Sequence, residues 1–299
     1  MSGLEQLCRD LFEKILKNNK YYLNESEVLR RILYDKRIVD TISKYNDNVA
    51  EEIANELVWA AYKLKDKNSI INIVDILASD SVVDAIRKYN VDAAKEIASE
   101  LTWMASRDYG HLVINIAEVL ASDSVVDAIN KYNGDIAMDI ANCLVWTAYR
   151  LNNKDDVVRI ANTIKKYDGD VAKNIANNLE WAVAELNNSR KVNRLISMLN
   201  TVGKNMFYTL RREELYKIID LNLDEIVKDR KSFNVVATFV RKYDHYTAKE
   251  IVNRLTWVGS ILKDKDSVVR MIDAVSRYDN RTASEIAERL AQAACRLKD

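Results

Sequence analysis

The chain contains no proline and only six glycines in 299 residues. Folds built from β-strands and tight turns use both residues freely, so their scarcity excludes that class and favours helices joined by short polar connections. The three cysteines, Cys8, Cys143 and Cys295, are odd in number and far apart in the sequence. This pattern excludes a disulfide framework and a paired zinc site, and it predicts a reducing, cytoplasmic setting.

Signatures of catalysis are also missing. The chain has two histidines, His111 and His245, and neither has a second His or a Cys at metal-ligand spacing. No phosphate-binding loop, GxSxG elbow, HExxH or CxxC sequence occurs. We therefore expect a protein that is not an enzyme and that uses no cofactor or metal ion.

Long apolar runs and net charge are absent as well. No stretch approaches the roughly 20 apolar residues of a membrane-spanning helix. The opening segment MSGLEQLCRDLFEKIL has acidic residues inside its apolar pattern and lacks the core of a signal peptide. Lys and Arg number 45 together, as do Asp and Glu. This balance excludes a global field toward nucleic acid or anionic membrane, but it permits a local charged stripe.

What the chain does contain is an internal repeat. The decapeptide LASDSVVDAI occurs at residues 77–86 and again at 120–129. It runs into KYN, KYD or RYD, and the tyrosines of these tripeptides are Tyr45, Tyr89, Tyr132, Tyr167, Tyr243 and Tyr278. Fourteen residues after the first five tyrosines stand all the tryptophans of the chain: Trp59, Trp103, Trp146, Trp181 and Trp257. The chain is therefore a series of related segments of 35 to 44 residues.

The intervals between the repeat tyrosines predict the order of the segments. The interval from Tyr167 to Tyr243 is 76 residues and conceals a degenerate repeat at 202–241, where Val202 replaces the tyrosine and Tyr216 the tryptophan. We expect a part-repeat and cap at 1–43, four regular repeats at 44–201, the degenerate repeat, and two C-terminal repeats including a cap at 242–299. Together they would form a single elongated solenoid over 1–299.

Each repeat opens with the periodicity of an amphipathic helix. After Tyr45 the apolar stripe is Val49, Ala50, Ile53, Ala54, Leu57, Ala60 and Ala61. The Asn or Asp after each repeat tyrosine is suited to ending one helix or capping the next. A second apolar segment completes the repeat, and in the longer repeats Asp80 or Asp123 can begin a third helix.

Such repeats bury their apolar stripes only by stacking on one another. The sequence therefore predicts an all-α fold, an α-solenoid wound as a right-handed superhelix from about seven helical-hairpin or three-helix repeats. In repeat length and helix number the chain resembles the armadillo, HEAT and tetratricopeptide superfamilies, although it matches none of their consensus signatures.

One face of the first helices is a candidate binding surface. The tryptophans fall about 150° from the middle of the apolar stripe. Four residues before them stand Asn55, Ser99, Asn142, Asn177 and Asn253, and three residues earlier stand Glu52, Glu96, Asp139, Asn174 and Glu250. Residues three, four and seven apart share a helix face, so stacked repeats would align these side chains in rows.

This pattern resembles the concave groove of armadillo proteins, although there the Trp precedes the Asn. The resemblance implies that Asn amides bond the backbone of an extended peptide and that indoles hold the stems of Lys or Arg. The carboxylates would favour a basic partner. An alternative is that the indoles are spacers packed between repeats. In the last repeat, which has no later neighbour, Gln292 and Glu288 replace the Trp and the Asn, and this favours the alternative.

A row of cations gives a rival interpretation. Lys44, Lys88, Lys131, Lys166, Lys242 and Arg277 each precede a repeat tyrosine at a predicted helix C-terminus. The helix dipole favours cations there, but such a row also suits phosphate contacts along a nucleic acid. The leading hypothesis is a non-catalytic scaffold that binds another protein or an extended basic peptide, with a nucleic-acid-binding solenoid or a self-assembling structural protein as alternatives.

Overall fold

The computed structural model describes residues 3–18, 20–23, 26–107 and 109–298. These residues form α-helices joined by short turns, with no β-strand among them, as the composition predicts. The chain divides into two compact units, Met1–Glu180 and Trp181–Asp299, called unit 1 and unit 2 below. The division of the chain into seven repeats of one solenoid stays a prediction.

Four helices of unit 1 precede the first full repeat, which begins with α5. The helices of unit 1 are α1 Gly3–Asn18, α2 Lys20–Leu23, α3 Ser26–Leu33, α4 Lys36–Ile42, α5 Asp47–Leu64, α6 Lys67–Leu77, α7 Asp80–Arg87, α8 Val91–Ala105, α9 Gly110–Leu120, α10 Asp123–Asn130, α11 Gly134–Leu151, α12 Lys154–Ile164 and α13 Gly169–Leu186, the last of which contains the boundary between the units. Short third helices begin at Asp80 and Asp123, where the sequence predicts them.

The first helices of consecutive repeats pack side by side in unit 1. Helix α8 contacts both α5 and α11. Behind this layer α4 packs on α6, α7 on α9 and α10 on α12, so the helix that ends one repeat covers the second helix of the next. The apolar stripe predicted after Tyr45 is buried throughout its length. The side chains of Asn46 and Asn90 accept a hydrogen bond from the third residue that follows, which caps α5 and α8.

The Lys-Tyr pair that recurs in the sequence joins one repeat to the next. Lys44 donates from Nζ to the carbonyl oxygen of Ala78 at 2.7 Å, and the Tyr45 hydroxyl donates to the carbonyl oxygen of Leu77 at 2.5 Å. Both acceptors lie at the C-terminal end of α6, where helix carbonyls lack partners within the helix. The same two bonds recur at Lys88 and Tyr89 on the end of α9, and at Lys131 and Tyr132 on the end of α12.

Unit 2 contains the interrupted part of the sequence. Its helices after α13 are α14 Ser189–Val202, α15 Asn205–Thr209, α16 Arg212–Asp220, a 3₁₀ turn Leu223–Ile226, α17 Arg230–Lys242, α18 His245–Leu262, α19 Lys265–Val275 and α20 Asn280–Lys298. Over residues 202–241 two short helices, α15 and α16, stand where a regular repeat has one 18-residue helix such as α11. Helix α18 packs on α19 and α20, and α17 packs on α19. Lys242 and Tyr243 bond the end of α19 in the manner described for unit 1.

Among the described residues, no helix combines the length and the apolar character needed to cross a membrane.

Candidate binding face of unit 1

Three indoles lie on consecutive first helices of unit 1 and form a row. Trp59, Trp103 and Trp146 belong to α5, α8 and α11, and we call them the indole row. The rings of Trp103 and Trp146 are in contact, with centroids 5.6 Å apart. All three side chains are half-buried. The row therefore combines packing between repeats with an accessible edge, rather than being wholly core or wholly exposed.

Two tyrosines extend the aromatic cluster. Tyr109, just before α9, stacks on Trp103 with centroids 6.4 Å apart and meets the edge of Tyr149 at 4.8 Å. Tyr149 in turn contacts Trp146 edge-on at 5.7 Å. Aromatic pairs in these geometries attract one another beyond the area that they bury. The cluster fixes the orientation of the indoles of α8 and α11.

A cation of the chain lies over two of the indoles. The guanidinium carbon of Arg107 is 4.6 Å from the centroid of Trp103 and 5.5 Å from that of Trp59. Lys63 Nζ lies 6.0 Å from the Trp59 ring as well. The negative faces of indoles attract such groups. The rings of Trp59 and Trp103 therefore contact cations of the chain itself.

Beside the indoles runs a set of four glutamates, which we call the acidic row: Glu52 and Glu56 on α5, and Glu96 and Glu100 on α8. All four are half-buried, and none of them forms a salt bridge with another described residue. The Ser99 hydroxyl lies 3.5 Å from Glu56 Oε1. Carboxylates at i and i+4 on one helix repel one another, by about 0.2–0.5 kcal/mol per pair. The repulsion within the acidic row therefore destabilises the folded state.

Burial and repulsion raise the pKa of three glutamates of the acidic row, Glu56, Glu96 and Glu100. The pKa of Glu100 is raised to about 7, first by burial and then by the charges of Glu96, Glu56 and Glu180, while a hydrogen bond from Trp146 partly offsets the rise. Burial likewise raises the pKa of Glu96, with further contributions from Glu52 and Asp139.

The pKa of Glu56 is raised in the same way, by burial and by Glu52. A cation placed beside these groups would relieve the repulsion and restore their ionised forms.

A pocket of about 650 Å³ opens beside the acidic row and the indole row. Its lining comprises Lys14, Ile15, Asn18 and Tyr22 from the N-terminal helices, Glu51, Asn55, Glu56 and Trp59 from α5, and Trp103 from α8. Lys14 and Glu51 form an ion pair at 2.8 Å across one side. Two carboxylates, one of them paired with Lys14, therefore converge with two amides and two indoles on one concave site. Such a site suits a cationic side chain on a peptide backbone.

The structure does not bring every predicted side chain into this site. Asn142 is half-buried with its Oδ1 lacking a partner among the described residues, and Asp139 pairs with Lys173 at 2.5 Å. Asn174 and Asn177 are half-buried on α13, where Asn174 accepts hydrogen bonds from Asn178.

In unit 2 the predicted residues have different surroundings. Trp181 has the guanidinium of Arg212 at 5.5 Å from its ring. Trp257 is 40% exposed. Glu250 pairs with Arg254 on its own helix at 2.8 Å, and Asn253 is exposed.

The cation row has structural partners in the same structure. Lys44, Lys88, Lys131 and Lys242 donate to helix-end carbonyls, and Lys131 also pairs with Asp168 at 2.6 Å. Arg277 pairs with Asp273 at 3.2 Å. The four lysines therefore join neighbouring repeats, whereas Arg277 pairs with a residue of the helix that it follows.

Sequence reasoning missed Glu56, Glu100 and Arg107. A signal for the two glutamates was present, because each stands eleven residues after a repeat tyrosine and four after a predicted glutamate. Arg107 lies beyond the end of α8, outside the helical register, and only the folded chain places it over the indoles. Comparison of the chain with known protein families, with curated proteins and with solved structures found no match.

Proposed function

We propose that the protein is a non-catalytic scaffold that binds an extended basic segment of another protein along the acidic and indole rows of unit 1. In this proposal the repeats form an armadillo-like or HEAT-like solenoid, and the binding face is continuous over α5, α8 and α11. The free thiols of Cys8, Cys143 and Cys295 fit the cytoplasmic setting expected from the sequence.

The observation that carries the proposal is the unpaired acidic row. Glu56 and Glu100 stand four residues after Glu52 and Glu96, where they repel and are partly buried, and no described cation neutralises them. At the matching place in α18 stands Arg254, which neutralises Glu250. An arginine at this position would therefore neutralise the preceding glutamate, but α5 and α8 carry a second glutamate there instead. A basic partner would provide the missing charges.

The proposal is tested by removing the charge while keeping the shape. We expect Glu56→Gln combined with Glu100→Gln to weaken binding of hexa-arginine and hexa-lysine peptides by about tenfold, measured by calorimetry on the full chain. The matched control is Asp84→Asn combined with Glu118→Gln, which removes two exposed carboxylates elsewhere in unit 1. Equal weakening by the two variants, or no binding to the unmodified chain, contradicts the proposal.

The same titrations address the nucleic-acid alternative. Lys44, Lys88 and Lys131 are already bonded to carbonyl oxygens, so we expect no binding of a single-stranded oligonucleotide. Binding of the oligonucleotide that weakens steeply with added salt, and that is lost on replacing these lysines, would favour the alternative instead.

A further inference from the structure

Arg107 has an unusual place for an arginine. It follows the end of α8, its side chain is exposed, and its guanidinium carbon lies within 5.5 Å of two ring centroids, those of Trp59 and Trp103. Within the part of the chain that the structure describes, it forms no salt bridge. Stacking on the two indoles is therefore the contact that holds this guanidinium.

The space beside Arg107 offers a guanidinium a carboxylate in addition to the two indoles that Arg107 itself contacts. The adjacent pocket of about 650 Å³ is lined by the same two indoles and also by Glu56 and Asn55. Hydrogen bonds between a guanidinium and a carboxylate are among the stronger ones in proteins. A guanidinium that enters from the pocket gains both the indole faces and a carboxylate.

We propose that the slot between Trp59 and Trp103 is a subsite for an arginine side chain of the partner, and that Arg107 fills this slot until the partner displaces it. The proposal rests on the proposed function and specifies which residue of the basic segment is recognised. Displacement involves a side chain on the short connection between α8 and α9, so it requires no rearrangement of the helices.

The geometry favours arginine over lysine as the occupant. A guanidinium is planar and weakly hydrated, so it stacks on an aromatic face and donates in its own plane at the same time. An ammonium group is compact and strongly hydrated, and it gains less from a slot between two rings. Because the chain itself places a guanidinium there, the slot is wide enough for that group.

The test compares two peptides of equal charge on the full-length protein. For Arg107→Ala we expect affinity for acetylated hexa-arginine to rise about fivefold, because the internal competitor is gone, and affinity for hexa-lysine to change by less than about twofold. Arg107→Gln provides a second variant with a polar side chain of similar length. Arg159→Ala, on the exposed side of α12, removes the same charge elsewhere in unit 1 and corrects for the loss of repulsion.

The outcomes separate this proposal from the one on which it rests. Equal gains for the two peptides, a weaker hexa-arginine complex, or no change in Arg107→Ala contradicts the arginine subsite. If Glu56→Gln with Glu100→Gln still weakens both peptides in that case, the acidic face retains its proposed function. Absence of binding of either peptide to the unmodified chain contradicts the proposed function, and with it the arginine subsite that rests on it.

Discussion

Helices α8 and α18 have the same place in their repeats and opposite charge patterns. On α8, Glu96 is followed four residues later by Glu100, and the two repel. On α18, Glu250 is followed four residues later by Arg254, which pairs with it at 2.8 Å and with Glu288 of α20 at 3.2 Å. A single position thus decides whether the face is internally neutralised, as in unit 2, or left acidic, as in unit 1.

The indoles of the same two helices differ in a related way. Trp103 on α8 contacts Trp146 of the next first helix, whereas the helix next to α18 carries Gln292 at that place and Trp257 is 40% exposed. Trp103 therefore has a neighbouring indole in the following repeat, and Trp257 has none. The comparison indicates that the recurring tryptophan has two roles, set by its neighbour rather than by its own helix.

The largest effect expected from this difference concerns stability. Trp103→Ala should lower the free energy of unfolding by about 2 to 4 kcal/mol, because it removes a half-buried indole from an aromatic cluster. Trp257→Ala should cost less than about 1 kcal/mol, since much of that side chain already faces water. Urea unfolding followed by circular dichroism measures both, and equal losses would show that the two indoles have the same role.

A second prediction uses pH. Glu100 has a pKa of about 7 in the folded chain and an ordinary value of 4.5, so the folded state holds a proton that the unfolded state releases between these values. The contribution of Glu100 to the free energy of unfolding therefore falls as pH rises from about 4.5 to about 7. Glu100→Gln should be indistinguishable from the unmodified chain at the acid end of this window. Above it the variant should be more stable by about 1 to 2 kcal/mol, once solvent screening is included.

The matched control for the pH series is Glu118→Gln, on the exposed side of α9. Its stability relative to the unmodified chain should stay constant over the same window. A Glu100→Gln variant that follows this flat profile would contradict a raised pKa of Glu100 in the folded chain.

Exchanging the charge patterns sharpens the comparison further. Glu100→Arg copies the arrangement of α18 into α8, so it should neutralise Glu96 and weaken hexa-arginine binding by about tenfold. Arg254→Glu makes the reverse change in unit 2 and should leave that binding unchanged within about twofold. Weaker binding in both variants would contradict a binding site confined to unit 1.

The smallest effect concerns the hydroxyls that join repeats. Tyr132 donates to the carbonyl oxygens of Ile164 and Tyr167, whereas Tyr278, in the last repeat, is 46% exposed. Tyr132→Phe should therefore lower the free energy of unfolding by about 0.5 to 1.5 kcal/mol, and Tyr278→Phe should leave it nearly unchanged. Thermal unfolding of the pair checks this, and similar melting temperatures would contradict a structural role for the repeat tyrosine.

The helices were predictable from sequence because their information is local. Burial of the stripe from Val49 to Ala61, and the caps at Asn46 and Asn90, follow from periodicity and capping chemistry within one helix. The Asp80 and Asp123 starts are signals of the same kind. Break-up of the first helix at 202–241 into α15 and α16 was not predicted, since it depends on packing against other helices.

The candidate site was only partly predictable because its chemistry lies between repeats. The tryptophan register located Trp59, Trp103 and Trp146, but their half-burial depends on a neighbour that a single helix does not specify. Lys88 provides the clearest contrast. Its position at a helix end suited either an interaction with the helix dipole or a contact with a phosphate group. Only the fold brings the Ala121 carbonyl oxygen within 2.7 Å of its Nζ.

The most direct test of the account follows the five tryptophans separately. With 5-fluorotryptophan in the full-length chain, each of the five indoles gives its own fluorine resonance, assigned by single substitution. On addition of hexa-arginine we predict that the resonances of Trp59 and Trp103 move first and furthest, and that the resonance of Trp257 stays in place. Uniform shifts of all five resonances, or a shift of Trp257 alone, would contradict a binding face in unit 1.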